Sequence, residues 1–128
     1  MFLPKCRKYF AVDYLTNIDM LISCTDSFQV QDEQGRIVVD RKFPAKRVRF
    51  GGVSRNGRRF VIVLYRRALL DPWPVRAEEF QVYDIGRDDP IAAIRANRPA
   101  EGDWSALSPN GDLLLIGSVD GLCVYRLP

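Results

Sequence analysis

The chain repeats nearly the same phrase three times. Near its C-terminus it reads Trp104-Ser-Ala-Leu-Ser-Pro-Asn-Gly111, then Leu113-Leu-Leu-Ile-Gly-Ser118, then Asp120-Gly-Leu-Cys-Val-Tyr125. Ile37 through Gly57 sets under Ile91 through Gly111 without a gap, at an offset of 54. Phe10 through Gln31 sets under Trp104 through Tyr125 at an offset of 94, again without a gap. Phe28-Gln-Val-Gln-Asp32 also matches Phe80-Gln-Val-Tyr-Asp84, and the spacing from Phe80 to Leu122 is 42. The longer spacing from Phe28 to Phe80 reflects one insertion near residues 66–78. Repeats of this length are small units that cannot bury their apolar side alone and must stack on one another. Such a scaffold does not by itself disclose a substrate or a partner.

Each unit contains four short segments that read as strands. In the last unit they are Ile91 to Ala96, Asp103 to Leu107, Leu113 to Ser118 and Gly121 to Leu127. Arg55-Asn56-Gly57 and Pro109-Asn110-Gly111 lie between apolar segments, where Asn-Gly favours a tight hairpin turn. The third segment is nearly all apolar, as in Phe60-Val-Ile-Val-Leu-Tyr65, which predicts a strand buried on both faces. The fourth segment alternates. Gly51-Gly52 inside a strand predicts a bulge or a close approach of another sheet. No stretch has convincing helical periodicity, because Pro72 and Pro74 cut short Ala68-Leu-Leu70. The fold class read from this pattern is all-β: four-stranded antiparallel meanders, each packed between like sheets.

Composition narrows the chemistry. At 47% hydrophobic and 27% charged residues, the 128-residue chain belongs with globular domains and not with disordered ones. No apolar run reaches membrane-spanning length, and the N-terminus lacks the apolar core of a secretory signal. The expectation is a cytoplasmic protein with no membrane partner. Cys6, Cys24 and Cys123 are too few and too scattered for a disulfide framework or a zinc site, so they read as small buried hydrophobes in a reducing compartment. Histidine is absent, which removes His-based nucleophile arrangements and histidine metal ligands. Neither a metal nor a cofactor is expected. Asp88-Asp89-Pro90 and Glu78-Glu79 are paired acids with no converging ligands in view.

Ser108-Pro-Asn-Gly111, Leu115-Ile-Gly-Ser118 and Asp120-Gly-Leu-Cys-Val-Tyr125 resemble a β-propeller blade of the WD-repeat type, or of the bacterial seven-bladed type. The resemblance runs from about Tyr9 to Leu127. The family's Gly-His pair has no counterpart here, and its Trp-Asp dipeptide survives only as the aspartates Asp32 and Asp84. The resemblance implies a single partial propeller of about two and three-quarter blades. Its units would be a partial blade at 1–35, a blade at 36–85 with the insertion at 66–78, and a blade at 86–128. Closed propellers have at least four blades. The chain is therefore expected to form part of a larger propeller, completed by further blades of its own chain, by another copy or by a partner.

Charge is uneven. Between residues 36 and 67 basic residues outnumber acidic ones eleven to one, although the whole chain carries only +3. Such a segment suits an acidic partner or a polyanion, or else arginines that stay solvated or pair with carboxylates of the neighbouring blades. The candidate partner-binding residues are Arg55, Arg58 and Arg59 around the Asn-Gly turn, and Arg66, Arg67, Trp73 and Arg76 in or beside the insertion. Trp and Arg are common binding anchors, and loops longer than the repeat minimum often bind.

The preferred reading is a non-catalytic protein-interaction scaffold. Two alternatives stay open. One is a fragment of a propeller enzyme, such as a lactonase or a quinoprotein-like dehydrogenase. The other is polyanion binding through the basic middle blade. For an enzyme, charged residues facing the central channel are expected near Arg41 and Arg95.

Overall fold

The computed structural model describes residues 11–15, 19–66, 77–96, 104–118 and 121–128. Among them are eleven strands and no helix. The strands are β1 (Ala11–Tyr14), β2 (Met20–Ser23), β3 (Ser27–Gln31), β4 (Ile37–Lys42), β5 (Lys46–Val53), β6 (Arg59–Arg66), β7 (Ala77–Asp84), β8 (Ala92–Arg95), β9 (Trp104–Leu107), β10 (Leu113–Ser118) and β11 (Gly121–Arg126). They form three antiparallel sheets, ordered β1-β2-β3-β4, β5-β6-β7-β8 and β9-β10-β11.

The sheets are offset by one strand from the units read along the sequence. Residues 37–42 open the sequence unit 36–85 but pair with β3, so they complete the first sheet. Residues 92–95 likewise complete the second. Tight hairpins decide this. After β3, Asp32 N–H donates to Arg36 O, Gly35 N–H donates to Asp32 O, and Gly35 takes φ 78°, which folds β4 straight back on β3. After β7, Arg87 N–H donates to Asp84 O, and Ile91 N–H returns to Val82 O. The crossing between the first two sheets falls at residues 43–45, where Ala45 adopts φ 64°.

The Ser-x-Asn-Gly phrase builds the same bend in sheets two and three. Ser54 Oγ accepts from Arg59 N–H (3.1 Å) and Ser108 Oγ from Leu113 N–H (2.9 Å). Asn56 Oδ1 and Asn110 Oδ1 each accept from the N–H two residues on, in Arg58 and Asp112. Gly57 and Gly111 close the bends at φ 72° and 79°, in the left-handed region that a side chain disfavours.

Strand β6 is buried on both faces, as its unbroken apolar run predicts. Phe60, Ile62 and Leu64 point into the core shared with the first sheet, where Leu21, Phe28, Val30 and Val39 meet them. Val61, Val63 and Tyr65 point the other way, into a second core with Phe80, Val82, Leu114 and Leu127. Phe28 of the first sheet inserts edge-on against Phe60 and Tyr83 of the second, at 6.0 and 5.3 Å between ring centroids. Fully burying each such side chain stabilises by roughly 1.5–3 kcal/mol.

Sheets two and three close in along their first strands. Ser105 Oγ on β9 donates to Gly51 O on β5 at 2.8 Å, and a Cβ on Gly51 would stand 2.7 Å from Val63 Cγ2 and 2.8 Å from Ser105 Oγ. The ladder between β5 and β6 slips between Phe50 and Gly52. The Gly-Gly pair thus provides both a bulge and a close approach. The sheets approach one another through β5, which meets β2 and β3 of the first sheet and β9 of the third.

One expectation about cysteine changes. Cys24 is buried but disulfide-bonded, and so is not a free thiol. Cys123 is free and exposed.

Candidate protein-interaction surface

The sheets have two ends, and the basic residues divide between them. At the Asn-Gly end, where β5 turns into β6, Arg55 and Arg58 are exposed. Arg59 is not available there. Its side chain is 12% exposed, and its Nε donates to Asp84 Oδ1 at 2.9 Å. The rest of the guanidinium donates to Gly111 O (2.9 Å) and Pro128 O (2.6 Å), tying sheet two to sheet three. Arg58 sits in the turn and Arg59 opens a strand, so neighbouring arginines have opposite roles.

The far end gathers the start of β5 and the ends of β4, β6 and β8. It carries Lys42, Lys46, Arg47, Arg66 and Arg95, with Arg49 further along β5. Lys46 Nζ is 2.5 Å from Glu78 Oε2. That hydrogen bond holds the Glu78 carboxyl below the usual carboxylate range, against a smaller opposing effect of desolvation, and the charges of Arg66 and Arg95 add to it. Arg95 is 87% exposed with Glu79 at 3.9 Å, a distance worth little in water. Arg47, Arg49 and Arg66 make no ion pair with another described residue. Of the candidates read from sequence, Arg66 therefore stands at the opposite end from Arg55 and Arg58. Arg67, Trp73 and Arg76 lie outside the described residues. Arg47 and Arg49 were not singled out beforehand, and the charge excess of residues 36–67 was their only signal.

Arg41 and Arg95 are placed on the fourth strands of the first two sheets, and not on the first strands expected of channel-lining residues. Their position follows from the hairpins that return β4 and β8 onto the preceding strand. Arg41 donates to Asp88 O (2.7 Å), lies 3.8 Å from Asp89 Oδ1, and covers the rings of Phe43 and Tyr83 at 5.3 and 5.8 Å. Asp88 and Asp89 thus serve the contact between the first two sheets. Among the described residues no group of three or more His, Cys, Asp or Glu is placed to hold a metal. Among them, too, no helix is long and apolar enough to cross a membrane.

The arrangement matches a known architecture. The chain is similar to the crystal structure of the C-terminal WD40 domain of Sif2, with a TM-score of 0.63 over 92% of this chain and 12% identity. It spans about a third of that structure (33%). No family model and no curated protein matches the sequence. The fold is that of WD-repeat-type β-propeller blades, in a set smaller than a closed propeller.

Proposed function

We propose that the chain is a non-catalytic interaction scaffold that docks an acidic segment of a partner protein at the end of the second blade carrying Arg47, Arg49 and Arg66. WD-type blades supply a rigid surface for binding proteins, and the two cores are built of apolar side chains that pack and do no chemistry. One observation carries the choice of surface. Arg41, Lys46 and Arg59 are engaged within the chain, whereas Arg47, Arg49 and Arg66 reach no carboxylate among the described residues. Arginines that make no ion pair with a described residue favour acidic side chains and raise association rates.

The test is a titration of the whole chain with a Glu-rich peptide, followed by fluorescence anisotropy at low and moderate salt. Binding that weakens about tenfold in Arg49→Glu/Arg66→Glu, as the loss of paired charges predicts, and holds in Arg55→Glu/Arg58→Glu would support this reading. Equal losses in both double variants, or no binding by the parent chain, would remove it. Retention on heparin without peptide binding would favour the polyanion alternative.

A further inference from the structure

Two cation–carboxylate pairs of the second sheet differ in how firmly they are closed. The Arg59 and Asp84 side chains are 12% and 29% exposed, and Arg59 also holds two main-chain oxygens. The Lys46 and Glu78 side chains are 34% and 43% exposed, and one hydrogen bond joins them. An ion pair that open to water adds little to stability and exchanges readily with other charges.

The strand ladder sets where this second pair forms. Lys46 lies directly opposite Arg66, and Arg95 lies opposite Glu79, which is opposite Leu64. Opposed residues share a face, and side chains alternate along a strand. Lys46, Arg66 and Arg95 therefore stand on one face of the sheet. It is the face that Val48 and Leu64 bury against the first sheet, and Lys46 and Arg66 lie two residues beyond them. Strict alternation from Glu79 would turn Glu78 to the opposite face. A bulge prevents that: Leu64 pairs with Glu79 and Tyr65 with Ala77, which leaves Glu78 without a partner on β6. A bulge re-aims the side chain it carries. Ala96 N–H donates to Glu78 O at 2.9 Å and fixes it from the outer side. The carboxyl then reaches Lys46, whose strand lies beyond β6. It is held low by the Lys46 hydrogen bond first, and then by the charges of Lys46, Arg66 and Arg95. Three cations from three strands thus act on one carboxylate.

We propose that Lys46, Arg66 and Arg95 form a carboxylate seat, that Glu78 fills it in the free chain, and that a glutamate or aspartate of the partner takes its place. The inference rests on the acidic-partner reading, and adds where a partner carboxylate lands and what it must displace. The seat already holds the chemical group that an acidic segment brings. On exchange one carboxylate replaces another, and Glu78 returns to water. Arg66 and Arg95 offer the incoming group forked donors that suit a carboxylate. Glu78 competes from a tether beside the seat, so its effective concentration is high. A partner must present several acidic side chains to win.

The experiment titrates the full chain with the Glu-rich peptide and reads anisotropy for Glu78→Gln, Lys46→Met and the double variant. Glu33→Gln removes the same charge from the β3–β4 hairpin, at the opposite end of the sheets, and serves as the control. Glu78→Gln should tighten binding about two- to fivefold, the scale of one exposed ion pair, and Glu33→Gln clearly less. Lys46→Met should weaken binding. In the Lys46→Met background the gain from Glu78→Gln should fall to that of the control, because the seat that Glu78 guards has lost its hydrogen-bond donor. Circular dichroism checks that each variant folds, and Glu78→Ala replaces Glu78→Gln if that one does not. No binding by the parent chain would remove the acidic-partner reading itself. Binding by the parent that Glu78→Gln leaves unchanged, weakens, or raises no more than Glu33→Gln does would overturn this inference alone, as would an equal gain with and without Lys46.

Discussion

Asn56 donates from Nδ2 to the main-chain oxygen of Asn110 at 3.0 Å, and the two asparagines hold the same place in consecutive sheets. Asn56 N–H adds a bond to Pro109 O at 3.0 Å. The bends of blades two and three are therefore fastened to each other as well as closed within themselves. This fastening makes the turn end rigid, and Arg55 and Arg58 project from it.

Arg59 should behave as a structural residue, not a binding one. Arg59→Met keeps its methylene stem but strands Asp84 and two carbonyl oxygens, which should cost about 1.5–3 kcal/mol, the range for charged hydrogen bonds. Urea unfolding of Arg59→Met, Asp84→Asn and the double variant checks this. The double variant should lose clearly less than the sum of the singles, because the pair is shared. Strict additivity would show that the 2.9 Å contact carries no coupling.

Phe28 is the wedge between the first two blades. It is fully buried and meets three aromatic rings, those of Phe43, Phe60 and Tyr83. Phe28→Ala should destabilise by about 3–5 kcal/mol. Phe28→Leu should cost markedly less, as it refills most of the volume. Thermal melts of both variants would reveal whether the wedge matters to this extent.

Two glycines in contact with neighbours should differ in their response to alanine. At Gly51 a Cβ would meet branched Val63 and the bonded Ser105, neither of which has room to move, and a cost of about 1–3 kcal/mol is expected. At Gly117 the Cβ would overlap the Trp104 indole at 2.1 Å, yet Trp104 is 52% exposed and can swing away. Gly117→Ala should therefore shift indole fluorescence more than it shifts the melting temperature, and Gly51→Ala should do the reverse.

Tyr83 sets an alkaline limit. Burial pushes its hydroxyl pKa up to about 12, partly opposed by the charge of Arg41. The unfolded chain loses this proton near pH 10 and the folded chain holds it longer. Stability from this group is complete below about pH 10 and falls as pH rises through 12, because the unfolded state then binds fewer protons. Phenolate absorbance should show Tyr83 titrating late, together with loss of structure. Tyr83→Phe should remove that late step.

Much of the architecture is legible in the residues themselves. The doubly apolar run at Phe60 to Tyr65 and the matching Asn-Gly bends follow from short-range chemistry, namely side-chain alternation and backbone freedom at glycine. The candidate site was less legible. Arg58 and Arg59 look alike as letters, and only the start of β6 and the approach of Gly111 and Pro128 separate a wet side chain from an engaged one. The enzyme reading placed Arg41 on a first strand, but the Asp32-to-Arg36 hairpin makes its strand the fourth of the first sheet.

Taken alone, the chain determined its repeat, its strands and the kind of bend joining them, because these depend on neighbours a few residues apart. Only tertiary structure decided which strand completes which sheet, which arginines are engaged between blades, and which face of each sheet meets its neighbour. Those outcomes depend on contacts between residues tens of positions apart, where register and packing choose among partners that local preference cannot tell apart.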